Sequence, residues 1–233
     1  MLAALLVIFL PLALYANDLY NLLAQPLMAN MPSGTTMIAT GVTSTFLAPL
    51  KFAMVLAAFI GMPVILYHVW AFVAPGLYRN ERRMIFPLLF GSVLLFYSGM
   101  AFAYFVFFPM VFAFFIKIAP QGVAVMTDIS SYLDFVLSMF FAFGLAFQVP
   151  IITIVLVWIG AVTPDGLAEK RRYIIVGAFV VGMLLTPPDV FSQLFLAVPI
   201  CILFEVGLLV SRMVAKRQQR EEVEGGEADQ RDS

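Results

Sequence analysis

The chain has 233 residues, 63% hydrophobic and 12% charged, with a mean hydropathy of +1.01. Soluble domains run at about 45–50% apolar and about 25% charged, so a water-soluble fold of this length could not cover so much apolar surface; the composition selects an all-α polytopic membrane protein. One cysteine (Cys201) and one histidine (His68) exclude a disulfide framework and leave too few ligands for a Cys/His metal site, while the net charge of −1 hides a division between an acidic C-terminal tail and basic internal loops.

A bilayer crossing needs about 20 apolar residues at about 1.5 Å rise each. The first apolar run, Met1 to Ala16, is short for that. It has no basic segment before it and no small-residue cleavage site after it, so it does not read as a cleaved signal peptide. Asn17-Asp18 opens a polar-flecked region reaching about Pro49. Within it a short amphipathic helix is expected, with Leu19, Leu22 and Leu23 on one face and Pro26 as its stop, followed by a Pro-Ser-Gly turn at 32–34. The second span is expected from Leu50 to Val73, kinked at Pro63, where neighbouring groups must satisfy the carbonyl that the proline frees.

Phe72 to Arg83 reads FVAPGLYRNERR, a hydrophilic stretch in which Arg79, Arg82 and Arg83 surround a single carboxylate, Glu81, just after a Pro-Gly break. The third span follows from Met84 to Ile116, with Pro87 and Pro109 marking bends near its ends. Lys117 to Ser131 is a loop turning at Pro120-Gln121-Gly122, with Asp128 placed to cap the next helix. The fourth span covers Tyr132 to Ile159 and is interrupted by Pro150; Gly160 to Arg172, GAVTPDGLAEKRR, is a second basic loop.

The apolar stretch Tyr173 to Val210 is broken by Thr186-Pro187-Pro188-Asp189, because two prolines in a row cannot lie inside a helix and Asp189 can start a new one. The helices on either side, the fifth and sixth, are therefore short, and Tyr173 to Leu185 reaches only ~20 Å against a hydrocarbon core of ~30 Å. From Arg212 onward the charged, Gly-Gly-containing tail is expected to be disordered. Residues 1–211 then form one transmembrane domain and 212–233 a tail. The basic clusters at 79–83, 170–172 and 212–220 are separated by two spans each, so all three can lie on the cytoplasmic side. That parity predicts six helices with the C-terminus inside and the Thr-Pro-Pro-Asp turn outside.

No GxSxG, HExxH or Walker A pattern occurs, and His68, beside Tyr67 and Trp70 near a helix end, reads as an interfacial packing residue. The chain is therefore read as non-enzymatic, with no metal or cofactor. Intramembrane polar residues mark transport pathways, and the candidates are Gln148, Asp134 and Glu205. Asp134 lies near the outer end of its helix, Glu205 close enough to the basic boundary to pair with Arg212, and Gln148 deepest. An interhelical hydrogen bond explains Gln148 as well as a functional contact does. With no acidic pair at mid-membrane and no inverted repeat, an ion-coupled solute transporter is the weaker alternative, and a purely structural membrane scaffold is another. Glu81 either neutralises its arginine neighbours or stays free to accept a guanidinium from a ligand through two parallel hydrogen bonds.

Three stretches, PVILYHVWAFVAPGLYRNERR (Pro63 to Arg83), LLFYSGMAFAYFVFFP (Leu94 to Pro109) and VGAFVVGMLLTPPDVFSQ (Val176 to Gln193), closely resemble the TatC family of the bacterial twin-arginine protein translocase. The resemblance extends to about Arg212. It implies a six-helix inner-membrane receptor for signal peptides bearing paired arginines, taking part in proton-motive-force-driven export of folded proteins. By the same resemblance Glu81 engages the signal's arginines, and Phe72, Leu77 and Arg79 belong to the same surface. Met183, Thr186 and Gln193 flank the outer turn, where the single-span subunits TatA and TatB would dock; further copies of the chain itself are implied partners. Gln148 stands where many relatives carry glutamate. Family members begin with a cytoplasmic segment of the type HLxELRxRL, whose glutamate is a second arginine acceptor. This sequence starts inside the first helix, so a missing N-terminal segment is expected, and with both termini cytoplasmic in the intact protein Glu81 would be half of a two-carboxylate site.

Overall fold

The structure, a computed structural model, describes residues 2–29, 37–73, 85–118, 126–185 and 190–231. The fold is all-α. Among the described residues, three helical stretches are long and apolar enough to cross a membrane: Phe86–Ile118, Ile129–Trp158 and Val190–Lys216. Two bent helix pairs near the N-terminus bring the number of possible spans to five. The fifth apolar segment in chain order, Arg171–Leu185, has 15 residues and is too short to cross unaided. The chain forms two compact units, 1–144 and 145–233.

In the first unit, α1 (Leu2–Leu14) meets α2 (Ala16–Met28) at a bend of 82°. The buried face of α2 is Ala16, Tyr20, Leu23, Ala24 and Leu27, at helical spacing. The expected face was only partly right, since Leu22 is exposed. Pro26 does not stop the helix either. It lies in the last turn, where its missing N–H frees only the Leu22 carbonyl, and the Tyr104 hydroxyl donates to that oxygen at 3.0 Å.

Helix α3 (Ser44–Ile60) begins earlier than expected, because Pro49 sits within it rather than at its boundary. Gly61 separates it from α4 (Met62–Val73), which leaves at 47° with Pro63 in its first turn. Helix α5 (Ile85–Phe102) passes through a π-helical turn, Ala103–Phe107, into α6 (Phe108–Ile118). Pro109 would press its ring on the carbonyl four residues back, inside that turn, and the wider π geometry relieves the conflict. Helix α7 (Ile129–Ala146) is capped by Asp128 as expected, its Oδ2 accepting from the Ser130 and Ser131 amides at 3.1 Å each. The core is aromatic: Phe107 lies 4.9 Å from Phe143 and Phe108 5.2 Å from Phe140, ring centre to ring centre.

In the second unit, α8 (Val149–Trp158) carries Pro150 in its first turn and ends in a Schellman motif. There Gly160 adopts φ 71°, the Ala161 amide donates to Leu156 O and the Gly160 amide to Val157 O, both at 3.0 Å. The basic loop contains a helical turn unforeseen in sequence, α9 (Pro164–Glu169), capped by Thr163, whose hydroxyl accepts from the Gly166 amide at 3.1 Å. Helix α10 (Arg171–Leu185) and α11 (Val190–Arg231) follow. Helix α11 carries on past Arg212 to Arg231, through Gln, Arg and Glu residues that favour helix. Val157, Leu167, Phe204 and Leu208 form the core of α8, α9 and α11.

Candidate functional site

The residues proposed around the arginine-rich loop fall at or beyond the edge of what the structure describes. Leu77, Arg79 and Glu81 lie outside the described residues, and of Phe72 only the backbone, in the last turn of α4, is described. The mount of that loop is well defined. Trp70, one turn before α4 ends, donates its indole N–H to the Ser92 hydroxyl of α5 at 3.1 Å, and both residues are buried. A buried indole donor without a partner would be costly, so this bond pins the two helices from which residues 74–84 spring. His68 is exposed and packs edge-on against Tyr67 at 5.8 Å, consistent with its reading as an interfacial packing residue.

At the other candidate surface, the Gln193 amide donates to Phe179 O at 2.8 Å, joining α11 to α10. Gly182 makes this approach possible, since a Cβ there would lie 3.1 Å from the Gln193 Cγ. Gln193 is thus an internal brace of the α10–α11 pair. Met183 is exposed, and so are Leu184, Val190 and Phe191, which makes a lipid-soluble patch at the end of this pair. Thr186 lies outside the described residues.

Both acidic candidates of the spans, Asp134 and Glu205, are paired. Lys51 bridges Asp134 at 2.5 Å, with both side chains about half exposed. Glu205 does not pair with Arg212 as expected; Arg171 of α10 reaches it first, at 2.8 Å, and Arg212 bonds Asp165 of α9 at 3.2 Å. Gln148 is buried at the junction before α8, where its backbone carbonyl accepts from the Ile152 amide at 2.9 Å. No group of metal-ligating side chains occurs among the described residues.

Asp128 does more than cap α7. Its Oδ1 accepts from the Thr40 amide at 3.0 Å and the Thr40 hydroxyl at 2.8 Å, while Ile38 and Asp128 form a single parallel bridge. The Thr40 and Ser131 amides hold the carboxyl well below its usual range, at about 2. This clamp and the Trp70–Ser92 bond were not foreseen in the sequence. Lys51 carried a usable signal, because a lone cation in an apolar run needs an acid at similar depth, and Asp134 is one.

A family model described as Sec-independent protein translocase protein (TatC) matches residues 1–199. Among similar proteins, a Sec-independent protein translocase protein TatC of Azotobacter chroococcum mcd 1 is 56% identical over 217 residues, covering 93% of this chain and 85% of that protein. That of Escherichia coli (strain K12) is 55% identical over 220 residues, covering 94% and 85%. A crystal structure of the twin arginine translocase receptor TatC superposes with a TM-score of 0.80 at 34% identity, covering 91% of this chain and 93% of that one.

Proposed function

The chain belongs to the TatC family of Sec-independent protein translocase proteins, a transport family, and on that premise we propose that it is the signal-peptide receptor of a twin-arginine translocase. In this reading Glu81 grips a paired-arginine signal through bidentate, charge-assisted hydrogen bonds, and Phe72, Leu77 and Arg79 complete the contact surface. Arg79, Arg82 and Arg83 keep the loop on the cytoplasmic side of the bacterial inner membrane. The chain takes part in proton-motive-force-driven export of folded proteins and enlists TatA and TatB, whose single spans dock on the exposed apolar end of α10 and α11 beside Met183, Thr186 and Gln193.

The observation that carries this reading is the likeness over nine-tenths of the chain to a solved twin arginine translocase receptor, joined to a loop whose single carboxylate suits a guanidinium ligand. A solute transporter is not favoured, because among the described residues Asp134 and Glu205 are each engaged by a basic partner and half exposed. Glu81→Gln should abolish export of a twin-arginine substrate while the protein still inserts and assembles; undiminished export would overturn the assignment. Cysteine at Met183 should crosslink to a partner's transmembrane helix, whereas cysteine at Val206, exposed on α11 about four turns beyond Phe191, should not.

A further inference from the structure

An open cavity of about 400 Å³ lies in the first unit between α1, α3 and α7. Phe9, Leu47, Leu50, Met54 and Leu133 make its wall apolar; Lys51, Asp134 and Ser130 are its polar lining. The ion pair sits seven positions into α3 and five into α7, or about 10 Å and about 8 Å from the helix starts. For helices that start at the membrane surface, this depth is where lipid headgroups give way to acyl chains.

From this geometry we propose that the cavity is a specific site for one zwitterionic phospholipid with a primary ammonium headgroup, a phosphatidylethanolamine. The charges are complementary to it in both signs. Lys51 Nζ engages Oδ1 of Asp134, which leaves Oδ2 of Asp134 and the remaining Lys51 protons for a ligand. A lipid phosphate accepts from Lys51 and its ammonium donates to Asp134, so two charge-assisted hydrogen bonds close on an existing pair. One acyl chain lies against Phe9, Leu47, Leu50 and Met54. A choline headgroup has no N–H to donate to Asp134, and a glycerol headgroup has no cation to offer it. Leu47 and Met54 are themselves exposed, so this wall is open to lipid. The site is independent of the arginine-binding role proposed for Glu81.

The purified full chain is to be equilibrated with equal amounts of phosphatidylethanolamine, phosphatidylcholine and phosphatidylglycerol, and the retained lipids counted by native mass spectrometry. The wild-type chain should retain one phosphatidylethanolamine in preference to the others. Asp134→Asn and Lys51→Gln should each lower that retention about tenfold, as the loss of one charge-assisted hydrogen bond predicts. Met54→Trp keeps the ion pair but fills the cavity from an exposed position, and should lower retention as well. Equal retention of the three lipids, or unchanged retention in Asp134→Asn and Met54→Trp, would overturn the proposal. So would a photo-crosslinker at Leu47 that captures a membrane polypeptide in cells and no lipid.

Discussion

The Tyr97 hydroxyl donates to the carbonyl of Phe59 at 3.1 Å, the carbonyl to which residue 63 would donate in an unbroken helix. Residue 63 is proline and has no N–H to give. The same hydroxyl lies 3.2 Å from Ile60 O, whose natural partner, the Val64 amide, turns to Gly61 O instead. Tyr104 repeats the device at Leu22 O, opposite Pro26. In both cases a tyrosine on the third span supplies the donor that a proline removed from an earlier helix. Unsatisfied carbonyls are expensive in a membrane protein, so each tyrosine steadies the helix whose proline it offsets.

Tyr97→Phe should therefore cost about 1 kcal/mol, the usual scale of a polar contact between membrane helices. Its cost should fall in a Pro63→Ala background, where an N–H at position 63 can serve Phe59 O again. Thermal unfolding of the four proteins in detergent measures that coupling. Additive effects would show that Tyr97 does not serve the kink.

Trp70→Phe removes the buried indole donor to Ser92 while keeping most of the apolar volume. The expected result is a loss of about 1 kcal/mol in stability. The bond also ties together the helices that carry the loop at 74–84. Binding of a twin-arginine peptide should accordingly weaken by about fivefold, or about 1 kcal/mol. Peptide titration of the detergent-solubilised variant checks this, and unchanged affinity would mean the loop's position does not depend on the α4–α5 brace.

Much of the fold was legible because lipid exposure imposes simple rules. Long apolar runs marked the spans, and Pro63 and Pro150 marked breaks where the helices do break. Asp128 announced itself as a cap. What escaped were features set by partners distant in sequence. Pro26 looked like a stop because nothing local shows that Tyr104, 82 residues after Leu22, can satisfy the carbonyl that Pro26 frees there. Arg171, the last residue but one of a basic loop, is nearer to Glu205 in space than Arg212 is, although Arg212 is closer in sequence. As for the candidate site, the loop carboxylate stood out by charge pattern, but only the family resemblance supplied its ligand.

Asp128→Asn tests the Thr40 clamp through pH. The folded-state pKa of Asp128 is lowered to about 2 by its hydrogen bonds to Thr40 and Ser131, against about 3.9 for a free aspartate. A depressed carboxyl contributes its stability in full above the unfolded value, and that contribution drains away as pH falls from about 4 to about 2. The wild-type chain should thus be more stable than Asp128→Asn at neutral pH, and the difference should shrink only below about pH 4. Unfolding temperatures of both proteins across that range measure it. A difference that vanished between about pH 7 and 5 would point to another group.

Gly207 faces the backbone of α8. A Cβ added there would come within 2.7 Å of the Pro150 Cα and 3.2 Å of the Thr153 Cβ. Backbone at the start of α8 cannot swing aside as a side-chain tip can, so Gly207→Ala must push α11 and α8 apart and should cost about 1–3 kcal/mol. Close approach of this kind is why small residues favour helix interfaces in membranes. The control is Gly177→Ala on α10, where nothing lies within 4 Å of the new methyl. There alanine should be neutral or stabilising by up to about 1 kcal/mol, through helix propensity alone. Comparing unfolding temperatures of the two variants isolates the contact. If Gly207→Ala behaved like Gly177→Ala, the α8–α11 interface would have to be looser than 2.7 Å allows.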